Sequence, residues 1–142
     1  MFRKILVAID GSEPASRALE AAIEEAGAWN AKVHVVYVVE SGLFSSLPMD
    51  NTLEVIYSVL QKEGEEILES ARKKADAAGI SLTTHLRQGH AGSQIVSLAE
   101  ELGIDLIVLG SYGKSGVDRL LLGSVTDYVV QNSPITTTVV RS

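Results

Sequence analysis

Cysteine is absent from the chain. That excludes a disulfide framework, a thiolate nucleophile and a thiolate metal site, and it is compatible with a reducing compartment. Positive charge is scarce: twelve Lys and Arg stand against eighteen Asp and Glu, a net charge of −6. This balance argues against nucleic acid or an anionic membrane as the main partner, though not against a small anion held by backbone amides. Long apolar runs are missing as well, and no segment approaches the length needed to span a bilayer. The N-terminus, Met1-Phe-Arg-Lys-Ile-Leu-Val-Ala-Ile-Asp10, starts as a signal peptide could. Its apolar run is too short for a signal core, however, and a carboxylate ends it. A soluble cytoplasmic protein is the expectation. The three histidines, His34, His85 and His90, show no helical metal spacing such as H-E-x-x-H and read as ordinary structural or surface residues. With no G-x-S-x-G elbow, a serine hydrolase is unsupported.

What is present is a folding chain: 142 residues, 46% of them hydrophobic, enough for one domain over residues 1–142 with a sizeable core. Ile5 to Ile9 is a continuous apolar run that suits a strand buried on both faces. Ser12 then reads as an N-cap and Pro14 as a first-turn residue. Ala15, Ala18, Leu19, Ala22, Ile23 and Ala26 recur at helical spacing, with Gly27 and Asn30 near the end. Lys32 to Val39 predicts a second strand and Ser41 to Asn51 a loop. Thr52 to Ala78 predicts a long helix with a stripe of Leu53, Ile56, Leu60, Ile67, Ala71, Ala75 and Ala78. Gly79 stops it, and Gly64 marks a kink or weak turn. Ser81 to Arg87 predicts a strand near an edge, Gln88 to Gly92 a turn, and Ser93 to Leu102 a helix with Ile95, Leu98, Ala99 and Leu102 inward. Asp105 to Leu109 predicts a fourth strand, Gly123 to Gln131 a helix, and Thr136 to Val140 a last strand. Strict β-α alternation of this kind implies a parallel sheet with helices on both faces and right-handed crossovers. Ligands in such sheets lie beyond the carboxyl ends of the strands, at the switch point in strand order.

Two of those strand ends carry distinctive residues: Asp10 after the first strand and Gly110 after the fourth. Gly110-Ser-Tyr-Gly113 is followed, nine residues later, by Gly123-Ser124. Glycines between a strand and a helix let backbone N–H groups approach an anion, and the helix N-terminus adds further donors. Gly113-Lys114-Ser115 mimics the tail of a P-loop, but position 108 is Val where that loop needs glycine. No G-x-G-x-x-G occurs either. The pattern that fits is G-x2-G-x9-G-[ST], met at all four positions.

This spacing resembles the nucleotide-binding signature of the ATP-binding members of the universal stress protein family. The resemblance extends over the chain. Lys4-Ile-Leu-Val-Ala-Ile-Asp10-Gly-Ser12 is similar to the family's first strand and carboxylate, Gly123-Ser-Val-Thr-Asp-Tyr-Val-Val130 to its last helix, and Pro134 to Val140 to its final strand. It implies an open, Rossmann-like α/β fold of the adenine nucleotide alpha-hydrolase-like kind, five parallel strands in the order 3-2-1-4-5. It implies that Gly110, Gly113, Gly123 and Ser124 surround phosphates and ribose, with Val125 adding a backbone donor. Asp10 would then lie near adenine or ribose, Ala8 and Ile9 would line the base pocket, and Val38 would contact adenine. The implied ligand is ATP, with AMP or ADP as alternatives, and a divalent cation, Mg²⁺ or Mn²⁺, accompanies the triphosphate. The implied partner is a second copy, paired through the last strand. Here Thr136-Thr-Thr-Val-Val140 departs from the family's apolar pattern and its Pro-x-Pro step, which weakens the apolar part of that interface. The same threonines also suit an ordinary edge strand.

Three functions are compatible with these residues. The first is a regulatory stress-response domain that binds nucleotide and changes its dimer or partner surface. The second is slow ATP hydrolysis or phosphoryl transfer, for which Asp10, Lys114 and Arg119 are the local candidates. Lys114 and Arg119 equally fit a phosphate contact or a solvated loop face, and Tyr112 a stacking or a covering role. The third is a nucleotide-free interaction module, against which the complete glycine spacing argues. Asp10 itself also suits a turn former or helix cap.

Overall fold

Nine elements alternate along the chain in the computed structural model, which describes residues 1–41, 51–112 and 122–141. They are β1 (Lys4–Ala8), α1 (Glu13–Trp29), β2 (Lys32–Glu40), α2 (Asn51–Ala77), β3 (Leu82–Gly89), α3 (Ala91–Leu102), β4 (Leu106–Gly110), α4 (Ser124–Asn132) and β5 (Thr137–Val140). The strands form one parallel sheet in the order β3-β2-β1-β4-β5. The order is thus the one expected from the sequence.

The unbroken apolar strands are explained by burial on both faces. Ile5, Val7, Val33, Val35 and Tyr37 face α1 and α2, where they meet Ala18, Leu19, Ala22, Leu68 and Ala71. The alternate residues Leu6, Val36, Ile107 and Leu109 face α3 and α4 and meet Ile95, Leu98 and Val129. Connections leave β1 toward β2 on one side, while β4 lies on the other. The carboxyl ends of β1 and β4 are therefore the switch point of the sheet.

Local signals act much as their chemistry requires. Ser12 Oγ accepts from Ala15 N–H at 3.3 Å and caps α1, with Pro14 in the first turn. Asn30 closes that helix in the left-handed conformation, φ 54° and ψ 45°. Three details differ from the sequence reading. Gly64 marks no break: α2 runs through it, and a Cβ there would lie 2.5 Å from Tyr37 Cδ1. Its smallness lets the helix close onto the sheet. The inward stripe of α2 includes Leu68, while Ala78 is exposed beyond the helix end. The turn expected over Gln88 to Gly92 shrinks to His90, because β3 continues to Gly89 and α3 starts at Ala91.

On the α3 side of the sheet, His34 Nδ1 lies 3.0 Å from His85 Nε2, joining β2 to the edge strand β3. Both pKa values are lowered from 6.5, first by burial. Positive neighbours add to this: Lys4, Lys32 and the partner ring for His34, and Arg87 for His85, against an opposing pull from Glu101. Among the described residues no helix is long and apolar enough to cross a membrane.

Candidate functional site

β1 ends and pairing persists for one more residue, with Ile9 N–H donating to Val36 O at 3.0 Å. Asp10 follows. Its Oδ1 accepts from Ser12 N–H at 2.9 Å, across Gly11 at φ 85°. Here the residue forms the turn that its short carboxylate favours. This turn fixes Asp10 at the switch point and hands the chain to α1.

On the other side of the switch point, β4 ends at Gly110. A Cβ there would sit 2.8–2.9 Å from backbone and side-chain atoms of Pro14. The glycine thus lets the end of β4 lean directly on the first turn of α1. Thr126 Oγ1 donates to Gly110 O at 2.7 Å, Ser111 N–H to Val140 O at 3.0 Å, and Gly123 N–H to Ser111 O at 2.7 Å. These bonds bring the start of α4 back to the end of β4.

Gly123 is the N-cap of α4, extended at φ −63° and ψ 158°, and no side chain caps the helix. The first helical bond runs from Asp127 N–H to Gly123 O. The amides of Ser124, Val125 and Thr126 precede it at the positive end of the helix dipole. α3, by contrast, is capped by His90, and its first amide is taken by a carboxylate: Ala91 N–H donates to Glu40 Oε2 at 2.9 Å.

These pieces surround a cavity of about 710 Å³. Ala8, Ile9 and Asp10 come from the end of β1, Val36 to Glu40 from β2, and Leu109 and Gly110 from β4. Tyr112 and the stretch Gly123 to Thr126 form the α4 side, Leu60 and Glu63 reach in from α2, and Ala91 and Ile95 from α3. Of the residues singled out from the sequence, the structure brings together Ala8, Ile9, Asp10, Val38, Gly110, Gly123, Ser124 and Val125 on this wall. Gly113, with Lys114 and Arg119, lies outside the described residues. Sequence reasoning missed Glu40, Glu63, Leu60 and Ala91. Glu40 had a usable signal, since it ends β2 as Asp10 follows β1.

The cavity is polarised. Its middle is apolar, lined by Ile9, Val36, Val38 and Leu109. Asp10, Glu40 and Glu63 put carboxylates on its wall, while the uncapped α4 end offers N–H donors. Such a site suits a ligand with a flat apolar body, hydrogen-bond donors along one flank and an anionic end. Among the described residues, no group of three or more His, Cys, Asp or Glu is placed to hold a metal ion.

A profile of the universal stress protein family matches residues 1–141. The universal stress protein MJ0531 of Methanocaldococcus jannaschii is 36% identical over 141 residues, covering 99% of this chain and 83% of that protein. Among solved structures, that of hypothetical protein MJ0577 superposes with a TM-score of 0.89 at 28% identity, covering 100% of this chain and 97% of that one. A universal stress protein solved in complex with cAMP superposes with a TM-score of 0.75 at 29% identity, covering 99% and 97%.

Proposed function

The chain belongs to the universal stress protein family, and on that footing we propose that it is a regulatory domain that binds an adenine nucleotide at the carboxyl edge of its sheet. ATP is the first choice of ligand, with AMP and ADP as shorter versions of it. The base lies against Ala8, Ile9 and Val38, near Asp10. The phosphates lie at the start of α4, held by Gly110, Gly123, the hydroxyl and amide of Ser124, and the amide of Val125. One observation carries this reading: an uncapped helix N-terminus that borders a 710 Å³ cavity with an apolar centre. The relative solved with cAMP supports the ligand class.

Among the described residues no group of three or more His, Cys, Asp or Glu is gathered around one point. A Mg²⁺ or Mn²⁺ ion would come in on the phosphate oxygens of the nucleotide. Binding rather than turnover is the proposed activity, with Asp10 serving the turn as acceptor for Ser12 N–H. The signal would leave through β5. Gly123 N–H holds Ser111 O, and Ser111 N–H holds Val140 O, so the phosphate end of the site is two hydrogen bonds from that edge strand. β5 is the proposed pairing edge for a second copy, in a cytoplasmic homodimer. With Thr137 and Thr138 in that strand, the dimer would rest more on backbone pairing than on apolar contact.

The test is calorimetry and thermal melting with ATP, AMP and cAMP, alongside native mass spectrometry for bound nucleotide and subunit number. At a hundred times Kd a ligand stabilises the fold by about 2.7 kcal/mol, which a melt detects readily. Ser124→Glu places a carboxylate where the phosphate should sit. An acidic first-turn residue favours the helix, so the fold survives. Affinity should fall by about a hundredfold, the equivalent of about 2.7 kcal/mol. Unchanged affinity in Ser124→Glu, or no melting shift with millimolar nucleotide, would sink the proposal.

A further inference from the structure

α3 begins on the same cavity as α4, yet two of its first-turn donors are already engaged. Ala91 N–H goes to Glu40 Oε2 at 2.9 Å and Ser93 N–H to His90 Nδ1 at 3.2 Å. Gln94 N–H then makes the first helical bond, to His90 O at 2.9 Å. The protein has thus laid its own anion on a helix N-terminus, which is where an anionic ligand would bind.

Glu40 is held there by the sheet. It is the last residue of β2 and pairs in register with Gly89, and Ser41 N–H donates to Gly89 O at 3.1 Å. The chain reverses at His90 immediately after Gly89, so β2, β3 and α3 meet within a few residues. Backbone pairing therefore fixes the Cα from which the carboxylate reaches Ala91 N–H. Both Glu40 and Ala91 line the cavity.

We propose that Glu40 is a specificity-determining residue: an internal carboxylate that stoppers the α3 end and restricts the cavity to ligands with a single anionic end. This rests on the nucleotide reading above. A carboxylate accepts hydrogen bonds and cannot donate them, so a ribose hydroxyl is a compatible neighbour. A phosphate on the ribose is not, because it meets a like charge and finds the Ala91 amide already taken. The chemical class selected is a nucleoside whose phosphates form one anionic group, at the 5′ end or closed across the 3′ and 5′ oxygens. The class rejected carries a further phosphate on the 2′ or 3′ oxygen.

The experiment is calorimetry of the whole chain with adenosine 5′-monophosphate and adenosine 3′,5′-bisphosphate, repeated with Glu40→Gln. The glutamine carbonyl can still accept from Ala91 N–H, which preserves the junction, and a thermal melt checks that it does. The wild type should prefer the monophosphate by about tenfold or more, and Glu40→Gln should bring that ratio to within about threefold, a change of roughly half a decade or more. Raising the salt concentration should shrink the wild-type ratio, because the discrimination is charge repulsion; a merely structural glutamate would leave the ratio insensitive to salt. Equal wild-type affinities, or a ratio unmoved by both Glu40→Gln and salt, would overturn the assignment to Glu40 while leaving nucleotide binding standing. If neither nucleotide binds the wild type, the nucleotide reading itself fails and takes this inference with it.

Discussion

α3 and α4 start at the same edge of one sheet and border the same cavity, but their first turns are finished differently. At α3 the protein supplies partners of its own: His90 caps Ser93 N–H, and Glu40 receives Ala91 N–H. At α4 the N-cap is Gly123, which has no side chain to offer. The cost of the bare end is small, since a glycine N-cap is about a few tenths of a kcal/mol less favourable than a capping side chain. Among the described helix starts, α1 is capped by Ser12 and α3 by His90, while α4 is left open. The difference teaches how to read a helix terminus. A satisfied end belongs to folding, and an unsatisfied end beside a cavity is where the proposed ligand is to be tested.

The largest effect on the protein alone is expected at the open end, at Gly110. Gly110→Val forces its Cβ into Pro14 backbone atoms 2.8–2.9 Å away, and neither β4 nor the first turn of α1 can retreat without unpacking. Overpacking of this kind costs about 1–3 kcal/mol. Urea denaturation without ligand should show a lower midpoint and an unchanged slope. A variant as stable as the wild type would mean that this glycine serves ligand approach alone.

At the satisfied end the expected loss is smaller. His90→Ala removes the acceptor for Ser93 N–H and the edge-to-face contact with Tyr128, whose ring centroid lies 5.0 Å away. The loss should be about 1 kcal/mol by thermal or urea denaturation. Nucleotide affinity should not move, because His90 is outside the cavity wall. A fall in affinity without a fall in stability would blur the division between the two helix ends.

Much of this contrast was legible in the sequence, and what was not has a physical cause. The alternation of apolar runs and helical stripes carried the fold, because parallel strands buried on both faces leave continuous Val and Ile segments. Asp10, Gly110 and Gly123 stood out because they are local: each follows a strand or opens a helix. Glu40 did not stand out, since its partner Ala91 is 51 residues away and the two meet only through the β2–β3 register. Gly64 was misread for the same reason. A glycine in a helix reads as weakness until the Tyr37 ring opposite is seen. Ala78 stays outside the core because α2 ends at Ala77, while Leu68 is buried on the same face of the helix as Ala71 and Ala75.

The smallest effect is expected where the satisfied half of the sheet depends on a proton. His34 and His85 face each other at 3.0 Å, and one ring must donate while the other accepts. That requires at least one neutral ring, and two charged rings would repel. Burial lowers both pKa values from 6.5, helped by Lys4 and Lys32 near His34 and by Arg87 near His85; Glu101 pulls His85 the other way. The sign follows from linkage. In the unfolded chain the rings take up protons below about pH 6.5, while the folded pair resists them, so the unfolded state binds more protons as the pH drops. The pair's contribution is complete above that pH and is lost as the pH falls toward the lowered folded values. Both rings are partly open to solvent, so screening keeps the effect modest. Melting temperature measured from about pH 7.5 to about pH 5 should therefore fall more steeply in the wild type than in His85→Gln, with hydrogen exchange quickening first in β3. Parallel curves for the two proteins would show that the histidines hold the edge strand no more tightly than glutamine does, and that the half of the sheet finished by its own side chains is insensitive to their charge.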